Sequence, residues 1–275
     1  MVLAGLLFCL LNAVARRLAQ DLDPFQTQFL RYLAGLVVLL PFILRTGLAA
    51  WRPHDLRGQA WRGVVHTAGL LLWFWALPHV PLADMTAIGF TGPIFIMAGA
   101  VLFLGEPVVR ARWVAAAFGF VGVVVVVAPK FSGTGEGFWS LVMLASAPLF
   151  AASFLITKAL TRRDRPEVIV AWQAITVAAF TLPFALPGWI WPTAEQWGWF
   201  LLTGLLGSAG HWCLTEAFRI ADMSATQPVK FIDMIWAASL GWLVFSDVPA
   251  TTTFAGAAII FVATTWIARR EARQR

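Results

Sequence analysis

Long apolar runs recur from one end of the chain to the other, each closed by a short polar or basic segment. A helix crossing about 30 Å of hydrocarbon at 1.5 Å per residue needs about 20 apolar residues, with about 17 as a practical minimum. That window predicts ten spans. In the first half they run roughly over 2–18, 27–45, 61–78, 84–104 and 112–129. In the second half they run roughly over 138–158, 167–186, 195–217, 224–245 and 251–268. Connections are short, which leaves no room for an inserted soluble domain.

Composition agrees with the pattern. Sixty per cent of the 275 residues are hydrophobic, 12% are charged and the mean hydropathy is +0.77. A soluble domain of this length needs more surface charge. The net charge of +6 is not that of a nucleic-acid binder, because the basic residues stand singly in short loops instead of on one face. Their placement encodes orientation. With the N-terminus cytoplasmic, the cytoplasmic connections and the C-terminal tail hold 15 of the 20 basic residues, Arg45, Arg62, Arg112 and Arg165 among them. The expectation is a multi-pass protein of the bacterial inner membrane with both termini cytoplasmic. Cys9 and Cys213 lie in apolar spans with no CxxC or His/Cys cluster, so neither a disulfide framework nor a zinc site is expected. The first apolar run has no charged segment before it and does not resemble a cleaved signal.

The chain repeats itself. Leu40-Pro41-Phe42-Ile43-Leu44 in the second span matches Leu182-Pro183-Phe184-Ala185-Leu186 in the seventh, 142 positions later. Phe103–Pro107 (FLGEP) matches Phe245–Pro249 (FSDVP), and Arg16 matches Lys158, at the same offset. Two halves follow, 1–130 and 131–275. Five spans is an odd number, so the second half is inverted in the membrane. The fold class is therefore all-α, ten transmembrane helices as two inverted five-helix repeats. Inverted repeats are a recurring carrier architecture, with the substrate site near the midplane between them.

Pro93 with Phe103-Leu104-Gly105-Glu106-Pro107, followed by Gly119-Phe120-Val121-Gly122, resembles the drug/metabolite transporter superfamily and its ten-helix EamA-type exporters. Arg31 in Phe29-Leu30-Arg31-Tyr32 fits the same likeness, which covers nearly the whole chain. The second half departs from it, with Ser246-Asp247-Val248 in place of LGE and no proline opposite Pro93. Within the family the chain looks most like bacterial exporters of amino acids, aromatic ones included. The resemblance implies export of small amphipathic metabolites by alternating access through a central cavity, without a cofactor, in a protein that functions as a monomer.

Polar side chains at membrane depth usually face the bundle interior. Lys230 and Asp233 share a face of the ninth span beside Gln227 and Pro228. They read either as a pair for a zwitterion or for coupling, or as a self-neutralising pair with Lys230 reaching to the interface. His211, Trp212 and Glu216 on the eighth span point to the same region, His211 as a proton carrier or a packing residue. His79 and Trp75 at the outer end of span three, with Trp172 and Trp236, complete a candidate aromatic lining. His66 is a weaker candidate, and Asn12 and Gln173 read as uncharged glue between helices. Glu106, Pro93 and Pro228 read as gating or structural residues, with Arg110 and Arg112 near Glu106. Gly204, Gly207 and Gly210 predict close helix approach.

HExxH, GxSxG and P-loop signatures are missing, so no catalytic, cofactor or metal residues are assigned and an enzyme is disfavoured. Two other carriers stay open. A sugar-phosphate or nucleotide-sugar exchanger needs several basic residues in the cavity, and only Lys230 and Arg31 qualify. A passive facilitator needs no titrating residue.

Overall fold

The computed structural model describes residues 1–18, 21–76, 79–80, 88–127, 137–245 and 251–272. Lys130, Ser246 to Pro249 and Arg273 to Arg275 lie outside the described residues. The chain is all-helical there: α1 (Val2–Leu18), α2 (Pro24–Thr46), a 3₁₀ turn (Leu48–Trp51), α3 (Leu56–Ala76), α4 (Gly92–Leu104), α5 (Arg110–Val127) and α6 (Gly137–Leu160). After these come α7 (Pro166–Ala185), α8 (Ala194–Ile220), α9 (Met223–Lys230), α10 (Asp233–Phe245) and α11 (Thr251–Ala272).

Local chemistry sets the helix ends. Asp23 caps α2 by accepting from the Phe25 and Gln26 amides, at 2.8 and 3.2 Å. Thr193 and Gln196 form a reciprocal capping box at the start of α8. Gly105, at φ +69°, ends α4 in the left-handed region, and the Glu106 amide closes back on the Ala100 carbonyl at 3.1 Å. A side chain at position 105 would be strained, which is the physical content of the Leu104-Gly105-Glu106 motif.

Burial is inside-out relative to a soluble bundle. Leu44, Leu102, Phe103, Phe118, Leu141 and Phe261 are 57–79% exposed, whereas Gln26, Gln227 and Arg62 are at most 1% exposed. Only a hydrocarbon solvent makes such a surface stable. Four helices, Pro24–Thr46, Gly137–Leu160, Pro166–Ala185 and Thr251–Arg270, are individually long and apolar enough to cross a membrane. Others fall short for visible reasons: α3 carries Arg57 and Arg62, α8 begins and ends in charged residues, and the ninth span is broken into α9 and α10.

The helices pack as an exchange-symmetric set. α3 lies along α6 and α1 along α8; α2 faces α7, and α5 faces α11. α8 packs on α2 as α7 packs on α3, and α4 packs on α6 as α10 packs on α1. Exchanging the first five spans with the last five maps each of these pairs onto another or onto itself, as an inverted repeat requires.

Close approach is concentrated at α2 and α8. A Cβ on Gly204 would stand 2.5 Å from the Ala34 carbonyl carbon and 2.7 Å from the Gly35 amide. Only glycine permits that crossing. A Cβ on Gly210 would stand 3.0 Å from the Phe8 ring, whereas one on Gly207 would stand 4.0 Å from Leu11.

Candidate functional site

The ninth span breaks at Phe231–Ile232, where α9 ends at Lys230 and α10 starts at Asp233. Pro228 lacks the amide that would bond the Ser224 carbonyl, which weakens α9 one turn before the break. The fourth span breaks too: residues 88–89 are helical, 90–91 form a turn and α4 begins at Gly92. Pro93 therefore lies in a first helical turn and not in mid-helix as expected from sequence; there its missing N–H has no ladder partner to lose. Phe90 and Phe231, at the two breaks, stack with centroids 5.8 Å apart and planes 14° from parallel.

Lys230 and Asp233 bridge the ninth-span break with Nζ to Oδ2 at 3.0 Å. The cation ends one helix and the carboxylate starts the next, so each faces the favourable end of a helix dipole. Lys230 also lies 5.9 Å from the Phe8 ring centre. The pair neutralises itself within the bundle; Lys230 is turned to Asp233 and Phe8.

Phe8 leads to the centre. Its ring meets His211 edge-on at 4.9 Å, and the His211 and His66 rings lie 6.1 Å apart. Gln173 Nε2 is 3.3 Å from His66 Nε2 and 3.5 Å from His211 Nε2. His66 Nε2 also meets the Tyr32 hydroxyl at 3.1 Å, and its Nδ1 meets Ser153 Oγ at 3.1 Å. Arg62 donates to the Gln173 Oε1 at 2.6 Å and to the Ile169 carbonyl at 2.9 Å. The network thus joins α2, α3, α6, α7 and α8, from both halves. Phe150 and Phe154 flank His66 at 5.4 and 6.4 Å. Beside it, Arg31, Tyr32, Gln173, Ser208 and His211 line a crevice of about 20 Å³, the space of about one water molecule.

Several expected residues are elsewhere. Trp75 is exposed and meets Trp139 edge-on, and His79 stacks on Trp139 at 4.0 Å, at the outer end of α3 away from the network. Trp172 donates to the Trp51 carbonyl at 2.9 Å and Trp212 to Glu167 at 3.2 Å; Trp212 lines a lateral groove with Phe42, Trp51 and Glu167. Their indole N–H groups find partners beside this groove instead of in the central network. Trp236 and Gln227 flank the ninth-span break; Trp236 Nε1 and Gln227 Oε1 are buried without a partner among the described residues. Asn12, read as interhelical glue, is exposed and makes no hydrogen bond to a described residue.

Glu106 is not simply paired near Arg110. Both its carboxylate oxygens cap α9, accepting from the Met223 amide at 2.6 Å and from the Ser224 amide and hydroxyl at 2.9 and 2.6 Å. Arg112 binds Asp222 and Ser224 at 3.1 and 2.8 Å. Lys158 donates to the Phe218 and Ala221 carbonyls at the end of α8. These contacts tie α4, α5 and α6 to the α8–α9 corner, and Arg219 pairs with Glu216 on the same side.

Sequence reasoning missed Arg62, Tyr32 and Ser153 and underrated His66 and Gln173. Arg62 was counted with the loop charges, but it lies inside α3 at 1% exposure. A signal existed: Gln59, Arg62 and His66 recur at helical spacing on an otherwise apolar span, and all three are buried. Tyr32 is also the one tyrosine of the chain.

The profile of the EamA-like transporter family matches residues 1–128 and 137–269. The riboflavin transporter of Rhizobium johnstonii is 38% identical over 278 residues, covering 100% of this chain and 91% of the relative. The S-adenosylmethionine uptake transporter of Rickettsia prowazekii is 28% identical, covering 93% of this chain and 86% of the relative. A solved crystal structure superposes with a TM-score of 0.84 at 19% identity, covering 99% of this chain and 96% of that one, which shows the shared fold. With its helical bundle, exchange-symmetric packing and twofold family match, the chain belongs to the EamA-like transporter family of the drug/metabolite transporter superfamily, and is a membrane transporter and not an enzyme.

Proposed function

We propose that this protein carries a planar, uncharged-edged heteroaromatic solute, riboflavin first among them, across a bacterial inner membrane. The observation that carries this reading is the makeup of the central network: hydrogen-bonding groups of Tyr32, His66, Ser153, Gln173 and His211 framed by Phe8, Phe150 and Phe154. Such a setting suits a flat ring held by stacking and a polar edge held by hydrogen bonds. Relatives named for riboflavin and for S-adenosylmethionine, both heteroaromatic compounds, support the same class.

The amino-acid expectation ranks second in this reading. A zwitterion wants a free cation and a free anion, whereas Lys230 and Asp233 satisfy one another. A sugar-phosphate wants open basic groups, whereas Arg62 commits its terminal nitrogens to Ile169 and Gln173.

A ligand of this kind needs a pocket of about 300 Å³ or more, far above the present crevice. Binding therefore requires the halves to separate, with the contacts around Glu106, Arg112 and Lys158 holding the α8–α9 corner shut and releasing as that side opens. Pro93, Pro228 and the Lys230–Asp233 pair shape the broken spans. We assign the unit of function to the monomer, with repeats 1–130 and 131–275 and both termini cytoplasmic.

Counterflow tests the reading. Liposomes containing the purified protein are loaded with unlabelled riboflavin and given labelled riboflavin outside, with phenylalanine and threonine as parallel arms. Transient accumulation of riboflavin is the expected result. Accumulation of an amino acid without riboflavin would restore the amino-acid reading, and accumulation of neither, from inserted and folded protein, would remove both.

A further inference from the structure

Donor and acceptor logic fixes more of the central network than its distances alone. Arginine only donates, so the Gln173 atom 2.6 Å from Arg62 is the amide oxygen. The Gln173 amino group is thereby turned toward the two histidines, at 3.3 and 3.5 Å. An N–H donates only to a bare ring nitrogen, so Nε2 of both imidazoles is unprotonated and each carries its proton on Nδ1. For His66 that proton has a partner, Ser153 Oγ at 3.1 Å. For His211 it has none among the described residues: Nδ1 is buried and makes no hydrogen bond there. His211 is 8% exposed and borders the crevice together with Gln173, Arg31 and Ser208.

We propose that the His211 Nδ1–H is the donor that recognises a hydrogen-bond acceptor on the substrate, a carbonyl oxygen or ring nitrogen, and that Arg62 is a positioning residue that holds it in that tautomer through Gln173. The substrate part rests on the assignment of a polar-edged heteroaromatic solute; the tautomer part does not. A buried unsatisfied donor is costly, so a site built around one discriminates strongly in favour of a ligand that satisfies it. The device also explains why a cation sits at 1% exposure without a carboxylate among the described residues. A carboxylate at position 173 would pair with Arg62 but present no N–H to the rings, and both tautomers would be released.

Two measurements on the full-length protein in nanodiscs and liposomes test this. The first is ¹⁵N spectroscopy of protein labelled at its four histidines, with His211 assigned from the spectrum of His211→Asn. Without substrate, His211 is expected to show a protonated Nδ1 and a bare Nε2. Arg62→Lys, which still donates to position 173, is expected to keep that pattern, and Gln173→Glu to lose it. A protonated Nε2 on His211 in the unaltered protein would overturn the relay whatever the substrate proves to be.

The second is riboflavin counterflow with a KM and Vmax separation. Asparagine places an amide N–H near the position of Nδ1, and glutamine places one near Nε2. His211→Asn is therefore expected to transport with KM within about threefold, and His211→Gln and His211→Leu with KM raised about tenfold. Vmax should stay within about twofold in properly folded protein. Equal KM for all three variants would overturn the recognition role. The expected tautomer with no riboflavin flux in the unaltered protein would leave the relay standing and reject the substrate class.

Discussion

The rings of Phe90 and Phe231 stack 5.8 Å apart at the two points where the fourth and ninth spans lose their helical path. The residues are 141 positions apart, one short of the repeat offset, so each half contributes one ring from its own break. Phe231 is fully buried and also limits its neighbourhood: a Cβ on Gly119 would stand 2.5 Å from the ring. Phe231→Ala should cost about 3 kcal/mol of stability by opening a cavity. Gly119→Ala should cost less, because the ring has to shift without losing its contacts. Thermal unfolding in detergent, followed by monodisperse elution on size exclusion, orders the two; a harmless Phe231→Ala would mean the breaks are held by something other than the stack.

Gly204 and Gly207 lie one turn apart on α8 but meet different surroundings. Gly204→Ala drives a methyl group into the backbone of α2 at Ala34 and Gly35, and backbone does not yield as a side-chain tip does. It should destabilise by about 2 kcal/mol or more. Gly207→Ala, with 4.0 Å to Leu11, should be neutral or slightly stabilising. The comparison is a pair of melting curves, and equal curves would contradict the crossing geometry.

Lys230 and Asp233 are a test of structure against chemistry. Lys230→Met leaves a carboxylate that is 17% exposed without its partner, at a cost of about 3 kcal/mol. The double variant Lys230→Met/Asp233→Leu removes both charges and should recover most of that stability. If the pair only staples the break, riboflavin flux recovers with it. A double variant that is stable but fails to transport would make the pair part of substrate binding or coupling. Gly5 reports on the same spot: Gly5→Ala would put its Cβ 1.7 Å from Asp233 Oδ1, so the carboxylate has to move, and activity should fall.

Glu106→Gln puts an amide NH₂ where the α9 cap needs only acceptors. Loss of one accepting oxygen and of the charge at a helix N-terminus should cost about 1 kcal/mol. If these contacts hold the cytoplasmic corner shut, a cysteine introduced at Ala225 in a background without Cys9 and Cys213 should react faster with a membrane-impermeant thiol reagent in the Glu106→Gln protein. Unchanged labelling would reduce Glu106 to a helix cap.

The two halves should also be separable in the chain. Co-expression of fragments 1–130 and 131–275 should give a complex that co-purifies and transports, since the helices pack far more extensively between the halves than within them. A tag at the C-terminus should be reachable by protease only from the cytoplasmic side.

Sequence by itself determined what depends on transfer to hydrocarbon. The number of spans, their repeat and the Leu104-Gly105-Glu106 helix end were legible because apolar length, duplicated spacing and a left-handed cap are local properties. The break in the ninth span was foreshadowed by Pro228 with Gln227 before it and Lys230 two residues after it. The break in the fourth was not, because Pro93 belongs to the turn after it.

Only the tertiary structure brought the candidate site together. Tyr32, His66, Ser153, Gln173 and His211 meet across sequence separations of 34 to 107 residues. A hydropathy window ranked Arg62 as a loop charge since it sees the cost of the cation but not the Ile169 carbonyl and Gln173 amide that receive it 107 and 111 positions away. The tryptophans show the converse: an indole suits lipid interface and cavity equally well, and the partner that chooses between them, Trp51 for Trp172 and Glu167 for Trp212, comes from another part of the chain. The cost of burying a polar group belongs to the residue, while its compensation belongs to the neighbours that folding brings to it.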